Sequence, residues 1–384
     1  MKPAIHIPEK YASRYGLLGA FCAELRRGCA AEGYRVNPTD AHGKGVYVFF
    51  NNPPPVEQLW QWTGAPGGER KVVQWCVDHP LTLPGPVVDQ LARDPGYRLL
   101  LVADDDLHLA QMRWPGARMA RCWHGVDDAA LCDEAGIEES HAGGGRDIDV
   151  LLAGWITPEA ELARQKALVP AALHESCEEI VRLRLRNPVM SFGHAYDLAM
   201  PLRLHASDPW GLMSVVFAYT TSKVNRVRRV RIIQSLTGLN VGLLGDPSLR
   251  EMEKEADGVR YLGQAEYHEL PGWLKRTKVS IALGPTQFVH SFSERLLLSL
   301  AAGCAAVADD RHWVRQQFGR EGGAACVDTF PIDWAPNVRE PVEKLLADPT
   351  RRAAMGAAGR SVVAREHLWR HRVPVIMGVA GFQA

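Results

Sequence analysis

The sequence lacks an excess of charge of either sign, and it lacks any long apolar run. Among its 384 residues, 44 Lys and Arg balance 44 Asp and Glu, which argues against a protein built to coat nucleic acid or an anionic membrane surface. The longest nearly apolar run covers residues 296–308 and is too short to span a bilayer. We therefore expect neither a nucleic-acid partner nor a membrane span.

Paired cysteines and an apolar leader are also missing. The eight cysteines are scattered, and no two have the C-x-x-C spacing of zinc knuckles or thioredoxin-like sites. We expect them to be reduced and mostly buried. The first ten residues have no apolar core of the kind that a signal peptide needs, which favours a cytoplasmic protein.

The common nucleotide and hydrolase motifs are absent as well. No G-x-G-x-x-G follows the first predicted strand, and Lys44 is followed by Gly45 instead of the Ser or Thr of a Walker A motif. There is no G-x-S-x-G elbow, and His174-Glu175 lacks the second His of a zinc-protease helix. These absences weigh against dinucleotide oxidoreductases, P-loop enzymes, α/β-hydrolases and zinc proteases.

What the sequence does contain is an alternation of short apolar runs with helical patterns, which is typical of parallel α/β sheets. We predict strands at 3–7, 45–50, 71–77, 97–103 and 117–123, and again at 149–154, 239–244, 259–262, 278–283 and 305–308. Helices are predicted between them, including one over residues 55–62. A glycine-rich connection at 143–145 divides the chain into two α/β domains, 1–146 and 147–384. Ligands of such sheets sit beyond the carboxyl ends of the strands.

Three consecutive aspartates follow the strand predicted at 97–103. Asp104, Asp105 and Asp106 fit the loose D-x-D pattern in which carboxylates hold a divalent cation and a sugar nucleotide. They also fit an ordinary strand end at which an Asp caps the next helix. Both interpretations remain open, and the second is the more common in proteins.

The segment 290–310, HSFSERLLLSLAAGCAAVADD, combines the features of an anion-binding helix start. Ser291 and Ser293 can cap a helix that begins near Glu294, and the free N–H groups and positive dipole end of such a start suit a diphosphate. Arg295 can add a charge-assisted contact, and Glu294 can accept hydrogen bonds from ribose hydroxyls. The same residues also fit an amphipathic helix with an ordinary cap.

With its surroundings, this segment resembles the nucleotide-binding half of GT-B glycosyltransferases, and more closely the CgeB-like group of bacterial glycosyltransferase domains. The likeness rests on Ser293-Glu294-Arg295 at a helix start, on the Ala301-Ala302-Gly303 turn and on the strand after it. The upstream segments agree in order: DIDVLLAG (147–154), LNVGLLG (239–245) and VRYLGQAEYHELPGWLKRTKVSIALGP (259–285). In the first domain, WCVDHP (75–80) is similar to a strand end of the domain often fused to this one.

The resemblance implies a GT-B fold, in which two Rossmann-like domains face each other across a cleft. Residues 147–384 would bind a nucleotide-sugar donor linked to UDP, dTDP or GDP, and residues 1–146 would bind the acceptor. The acceptor would be a protein, a glycan or a small molecule. No metal or other cofactor would be required, and the terminal helices around residues 351–369 would cross back to the first domain.

The sequence departs from the wider retaining GT-B superfamily at one pair of positions. That superfamily carries two glutamates eight residues apart around this helix, and His290 and Leu298 stand at those positions here. Glu294 lies one turn before the second of them, and whether it replaces that glutamate at the ribose stays open. The stereochemical outcome of the transfer stays open with it.

On the acceptor side, Asp78 and His79 follow the strand predicted at 71–77, and either can serve as the base that accepts the proton of an acceptor hydroxyl. His124 closes the last predicted strand of the first domain and can face the sugar or its phosphates. The alternatives are a turn cap before Pro80 and an ordinary loop histidine.

On the donor side, Gly154 ends the first strand of the second domain, where the backbone must approach a phosphate closely. Tyr261, Gly263 and Gln264 lie where the family receives the nucleobase, although Tyr261 can instead belong to the core. His290 and Ser291 complete the donor residues at the helix start.

Two further groups have an ordinary interpretation beside a functional one. The basic run 223–231 is either a solvated helix face or a source of cations for the leaving diphosphate. Four tryptophans can stack on a sugar or pack in the core: Trp60, Trp62, Trp210 and Trp313.

We therefore interpret the chain as a cytoplasmic, metal-independent glycosyltransferase that moves a sugar from a nucleotide-sugar to an acceptor hydroxyl, with a protein or cell-surface glycan as the preferred acceptor. Two alternatives remain. One is another nucleotide-sugar enzyme such as an epimerase, and the other is a non-catalytic protein that keeps the GT-B fold.

Overall fold

The computed structural model describes residues 2–9, 13–38, 45–52, 70–133, 136–142, 145–200, 208–331 and 337–382. The chain divides into two compact units: the first comprises Met1–Asp127 and Glu366–Ala384, and the second comprises Asp128–Arg365. The helix predicted at 55–62, with Trp60 and Trp62, lies outside the described residues, as do residues 143 and 144 of the predicted connection. Among the described residues, no helix has both the length and the apolar character needed to cross a membrane.

The first unit is built on a parallel sheet whose strands follow one another in chain order. Its strands are β1 (Ile5–His6), β2 (Gly45–Phe50), β3 (Arg70–Cys76), β4 (Tyr97–Leu101) and β5 (Arg118–Arg121). Its helices are α1 (Leu17–Ala31), α2 (Gly85–Leu91), α3 (Asp104–Arg113) and the C-terminal helix Val373–Ala380, which is α14 in chain order. The central strands are mostly apolar because both faces of the sheet are covered: every residue of β2 and β4 is buried, Arg98 of β4 included.

The C-terminal residues belong to the core of the first unit. The ring of Trp369 lies 5.0 Å from that of Phe21 and 5.6 Å from that of Trp75, between centroids. Its indole N–H donates a hydrogen bond to Glu24 Oε2 at 2.6 Å. A buried Trp with a satisfied N–H contributes a large apolar area at no polar cost, so this contact fixes the end of the chain on the first unit.

The second unit has a parallel sheet with the strand order of a Rossmann fold. Its strands are β6 (Ile148–Gly154), β7 (Val241–Gly245), β8 (Val259–Gly263), β9 (Thr277–Ala282), β10 (Ala305–Asp309) and β13 (Asp328–Phe330), beside a small antiparallel pair, β11 (Arg320–Glu321) and β12 (Ala324–Ala325). The order β8-β7-β6-β9-β10-β13 is the doubly wound 3-2-1-4-5-6 arrangement. The α/β class with two Rossmann-like domains is therefore confirmed.

The helices of the second unit are distributed unevenly along the chain. They are α4 (Gly136–Ala142), α5 (Glu159–Leu168), α6 (His174–Arg186), α7 (Phe192–Ala199), α8 (Pro209–Ser235), α9 (Leu270–Lys275), α10 (Glu294–Ala301), α11 (His312–Phe318), α12 (Arg339–Ala347) and α13 (Pro349–Glu366). Four of them, α5 to α8, lie between β6 and β7, where a Rossmann unit needs only one crossover helix. The long helix α8 packs against both α5 and α6.

By contacts, residues 128–146 group with the second unit. Arg146 shows how they are held there, because its buried guanidinium donates hydrogen bonds to the carbonyl oxygens of Leu274, Thr277, Ala302 and Gly303. These carbonyls end helices α9 and α10 or begin β9, and a cation at such ends is favourable.

Candidate functional site

The strand order of the second unit reverses between β6 and β9. The chain leaves β6 toward one edge of the sheet and leaves β9 toward the other. The loops after these two strands therefore diverge and leave a crevice beyond their carboxyl ends, which is where open α/β sheets bind ligands. The residues that follow β6 and β9 are accordingly the first candidates for a site.

Gly154, the last residue of β6, faces two guanidinium groups. A Cβ atom at Gly154 would lie 3.7 Å from Nη1 of Arg229 and 3.7 Å from Nη1 of Arg295. The neighbouring strand end is equally tight, because a Cβ atom at Gly245 would lie 2.3 Å from the carbonyl oxygen of Gly154. Only glycine fits at Gly245. At Gly154, both guanidinium groups lie at van der Waals distance from the position that a Cβ would take.

Arg229 is a buried cation on α8. Its side chain is 6% exposed, and Nη1 donates to the carbonyl oxygen of Trp155. Burial and the neighbouring Arg295 lower the pKa of Arg229 to about 9, while Asp309 and Glu294 act in the opposite direction. The guanidinium still carries its charge at neutral pH, so it is a desolvated cation that an anion would stabilise.

Arg295 and Ser293 lie at the start of α10. The helix begins at Glu294, as predicted. Ser293 occupies the N-cap position with extended backbone, yet its hydroxyl makes no capping hydrogen bond. Among the described residues, the buried Ser293 Oγ and Arg295 Nε atoms have no hydrogen-bond partner. The expectation that Ser293 caps the helix with its side chain is wrong, and two polar groups at the helix start are left for another partner.

Further buried arginines surround the crevice. The pKa of Arg184 is lowered to about 10 by burial and by Arg311, and that of Arg228 to about 9 by burial and by Arg184 and Arg311. Arg311 forms an ion pair with Asp309 and donates to the carbonyl oxygens of the loop after β9. Among the described residues, the carboxylates that act on these groups and on Arg229 are Asp309 and Glu294. The carboxyl edge of this sheet therefore carries an excess of buried positive charge.

Three further residues that were predicted to bind the donor lie at or next to neighbouring strand ends: Tyr261, Gly263 and Gln264. The Tyr261 hydroxyl donates to the carbonyl oxygen of Gly245 at 2.9 Å, which brings this ring to the end of β7 beside Gly154. Gly263 ends β8 with a positive φ of 120°, and nothing lies within 4 Å of the position a Cβ would take. Gln264, the next residue, is exposed.

The residues just before α10 are closely packed. The carbonyl oxygen of His290 accepts a hydrogen bond from the Trp313 N–H at 2.9 Å, and the rings of His290 and His312 lie 6.5 Å apart. Ser291 is fully buried. Leu298 is 1% exposed and part of the core.

In the first unit, His79 and Asp78 have well-defined partners at the carboxyl edge of the sheet. His79 Nδ1 accepts the Leu81 N–H at 3.2 Å, and its Nε2 lies 3.4 Å from Asp106 Oδ1. His79 therefore acts as the turn cap that was its alternative role. Asp78 is half-buried, and its Oδ2 accepts a hydrogen bond from Asn51 Nδ2 at 3.0 Å.

The three aspartates of α3 separate into different environments. Asp104 forms an ion pair with Arg121 at 2.7 Å. Asp106 is 1% exposed, and burial together with Asp105 and Asp78 raises its pKa well above the ordinary value. Across the described ranges, no group of three or more His, Cys, Asp or Glu side chains is placed to hold a metal ion. The acidic residues instead begin a helix, where negative charge is favourable.

His124 packs inside the first unit. It is 2% exposed, its ring lies 5.5 Å from that of Phe21, and its carbonyl oxygen accepts a hydrogen bond from Arg372 Nε at 2.9 Å. Its role at a ligand stays a prediction.

Sequence reasoning singled out Arg295 and Gly154 but not Arg229, which was only one member of the basic run 223–231. Arg228 and Arg229 are 7% and 6% exposed, so the solvated helix face is wrong for these two. The signal that could have found them is the density of arginine over residues 226–233, where all remaining positions are Val or Ile.

The comparisons with known proteins point to one kind of domain. Residues 227–378 match the family described as Glycosyl transferase-like. The matched range starts within α8 and runs through the rest of the second unit into the C-terminal residues. It includes Arg229, Tyr261 and Arg295 but begins after Gly154. Comparison with curated proteins gives no significant match.

Three solved structures illustrate what the whole chain is similar to. Sucrose-phosphate synthase from Thermosynechococcus elongatus is 12% identical with a TM-score of 0.47, covering 97% of this chain and 78% of its own. Anabaena HepE in complex with UDP-glucose is 11% identical with a TM-score of 0.47, covering 98% of both chains. T4 phage BGT in complex with its UDP-glucose substrate is 8% identical with a TM-score of 0.47, covering 100% of both chains.

Proposed function

We propose that the protein is a glycosyltransferase that moves a sugar from a nucleotide-sugar donor to an acceptor hydroxyl. One observation carries the proposal: the guanidinium groups of Arg229 and Arg295 converge on the backbone of Gly154 at the switch point of a Rossmann sheet. The glycosyl transferase-like family match over residues 227–378 supports it independently.

The chemistry explains why such a site needs buried arginines. When the bond between the sugar carbon and the phosphate oxygen breaks, the electron pair stays on the oxygen and the diphosphate leaves with added negative charge. Arg229, Arg295 and the N–H groups at the start of α10 would stabilise that charge as it develops. The Ser293 hydroxyl would donate to a phosphate oxygen, which accounts for its buried Oγ without a partner.

We propose the following roles for the other residues. Gly154, His290, Ser291 and Glu294 border the diphosphate and its ribose, and Tyr261, Gly263 and Gln264 border the nucleobase. On the acceptor side, Asp78 is the preferred base, because both ring nitrogens of His79 already have neighbours at 3.2 Å and 3.4 Å. His124 would support the acceptor residues from inside the first unit.

We further propose a metal-independent reaction, because the arginines supply the positive charge that a divalent cation would otherwise bring. The CgeB-like subgroup and a cytoplasmic location are proposals that rest on sequence motifs and composition. UDP-, dTDP- and GDP-linked sugars are the donors to try, with a protein, a glycan or a small molecule as acceptor.

The test is release of nucleoside diphosphate from a panel of UDP-, dTDP- and GDP-sugars, with candidate acceptors, in EDTA and in magnesium. We expect one donor class to turn over in EDTA, and Arg229→Met to abolish that turnover. Turnover that requires magnesium would contradict the metal-independent reaction. Donor binding with no transfer would favour an epimerase, and no binding at all would favour the non-catalytic alternative.

A further inference from the structure

We propose that Arg184 and Asn225 are positioning residues that clamp Thr286 and thereby hold the loop between β9 and α10 in place for diphosphate binding. The inference rests on the proposed function, and it assigns a role in that function to helices inserted between β6 and β7.

Both backbone polar groups of Thr286 are held by side chains from these helices. The Thr286 N–H donates to Asn225 Oδ1 on α8 at 3.0 Å. The Thr286 carbonyl oxygen accepts from Arg184 Nη2 on α6 at 2.9 Å. Two side chains that are far away in sequence thus hold one residue of the loop from two helices.

The clamp is itself rigidly supported. Arg184 Nη1 donates to Thr221 Oγ1 at 2.9 Å, and the Arg184 carbonyl oxygen accepts from Arg228 Nη2 at 2.7 Å. The Arg184 side chain is 2% exposed. Its guanidinium is hydrogen-bonded to the loop through Thr286 and to α8 through Thr221. Arg184 therefore acts through Thr286 and does not contact the ligand itself.

The clamp is connected to the anion site in two ways. Asn225 and Arg229 are four residues apart on α8, so they share one face of that helix. In the other direction, the loop that contains Thr286 continues directly into Ser293 and Arg295 at the start of α10. A displaced Thr286 would therefore shift the N-terminus of α10 relative to Arg229.

The experiment measures binding of inorganic pyrophosphate to the full-length protein by calorimetry, well below the unfolding temperature. We expect Arg184→Gln and Asn225→Leu each to weaken binding roughly tenfold, because displacement of a binding group by a fraction of an ångström is costly. If Arg184→Gln fails to fold, Asn225→Leu carries the test alone.

Arg352→Gln is the matched control. Arg352 is buried in the same unit, at 4% exposure, and donates to the carbonyl oxygens of Leu345 and Leu346 at 2.7 Å. We expect this variant to lower the thermal midpoint of the unliganded protein but to bind pyrophosphate like the wild type. A clamp variant that behaves like Arg352→Gln would overturn the inference.

A double-mutant cycle with Ser293→Ala separates positioning from general stability. If Arg184 acts through the loop on the start of α10, the losses of affinity from Arg184→Gln and Ser293→Ala will not add. Additive losses would overturn the inference.

The two proposals fail differently. If the wild type binds no pyrophosphate and Arg229→Met changes nothing, the proposed function fails. If the wild type binds, Arg229→Met binds much more weakly, and both clamp variants bind normally, the clamp alone fails.

Discussion

The carboxyl edges of the two parallel sheets bury ionisable groups of opposite type, an acid in the first unit and bases in the second. In the first unit the buried group is Asp106, whose pKa is raised by burial and by neighbouring aspartates. In the second unit it is Arg229, whose pKa falls to about 9 through burial and Arg295. A carboxyl group can escape the cost of burial by taking up a proton, whereas a guanidinium does not lose its proton at neutral pH.

The two edges therefore differ in whether their buried ionisable groups need a ligand. The acidic edge has a buried atom without a partner among the described residues, Asp106 Oδ2, but this carboxyl can become neutral by taking up a proton, with His79 beside its other oxygen. The basic edge stays charged, and two buried polar groups at its helix start, Ser293 Oγ and Arg295 Nε, have no partner in the part of the chain that the structure describes. An anionic ligand is the change that would stabilise the basic edge.

We expect the strongest effect from a substitution that tests whether Asp78, at the acidic edge, is the general base of the transfer. Asp78→Asn should lower transfer by roughly 10²- to 10⁴-fold, the contribution of a general base, and leave pyrophosphate affinity unchanged. Asp89→Asn is the control, because Asp89 is also a carboxylate of the first unit but is bonded to Arg113 and Trp114. Full transfer activity in Asp78→Asn, measured by steady-state kinetics, would remove Asp78 as the base.

The next effect tests the basic edge as an anion site. Arg295→Ala should weaken diphosphate binding by roughly 1.5–3 kcal/mol, the range for a hydrogen bond to a charged group. Arg229→Met should do the same with little loss of stability in the unliganded protein, because it removes a desolvated cation whose burial outweighs the effect of the carboxylates of Asp309 and Glu294. Calorimetry and thermal denaturation of the same samples check both statements, and unchanged affinity in either folded variant would contradict them.

A smaller effect concerns the protonation of Asp106 and its contribution to the stability of the fold. Because the pKa of Asp106 is raised in the folded state, the folded protein binds more protons than the unfolded chain above about pH 4. Its contribution to stability is therefore present at low pH and is lost as the pH rises through the folded pKa. Asp106→Asn keeps an acceptor for His79 and removes this loss.

The measurement is the free energy of unfolding of Asp106→Asn and of the wild type, obtained with denaturant at a series of pH values from about 4 upward. The variant should gain stability relative to the wild type as the pH rises. A difference that does not change with pH would mean that Asp106 is ionised in the fold.

The smallest effect compares two N-cap serines. Ser293→Ala should weaken pyrophosphate binding by about 0.5–1.5 kcal/mol, the worth of a neutral hydrogen bond, with little change in unliganded stability. Ser191→Ala removes a hydroxyl that does cap its helix, through the His194 N–H at 3.2 Å. It should cost about 0.5–2 kcal/mol of stability and leave binding unchanged. The same pattern in both variants would make Ser293 an ordinary cap.

The sequence predicts the sheets well because buried parallel strands are short apolar runs with clear ends. GVYVFF became β2 at Gly45–Phe50, and DVLLAG falls within β6, which ends at Gly154. The start of α10 at Glu294 was equally visible, because polar residues precede an apolar helix face. These features depend on neighbours along the chain.

The charged site could be predicted only in part, because it depends on contacts distant in the sequence. The basic run on α8 gave no reason to prefer Arg229, since α8 packs against α5 and α6 as well as bordering the crevice. The role of Arg184 depends on Thr286, 102 residues away.

The most direct test of the account is thermal denaturation of the wild type with UDP, GDP, dTDP or ADP in EDTA, beside Arg229→Met. A ligand that binds only the folded state adds about 2.7 kcal/mol of stability at a hundredfold excess over its dissociation constant. We expect a rise in the unfolding midpoint with at least one nucleoside diphosphate, and a clearly smaller rise in Arg229→Met. A wild type that none of the four stabilises, or an equal rise in the variant, would contradict it.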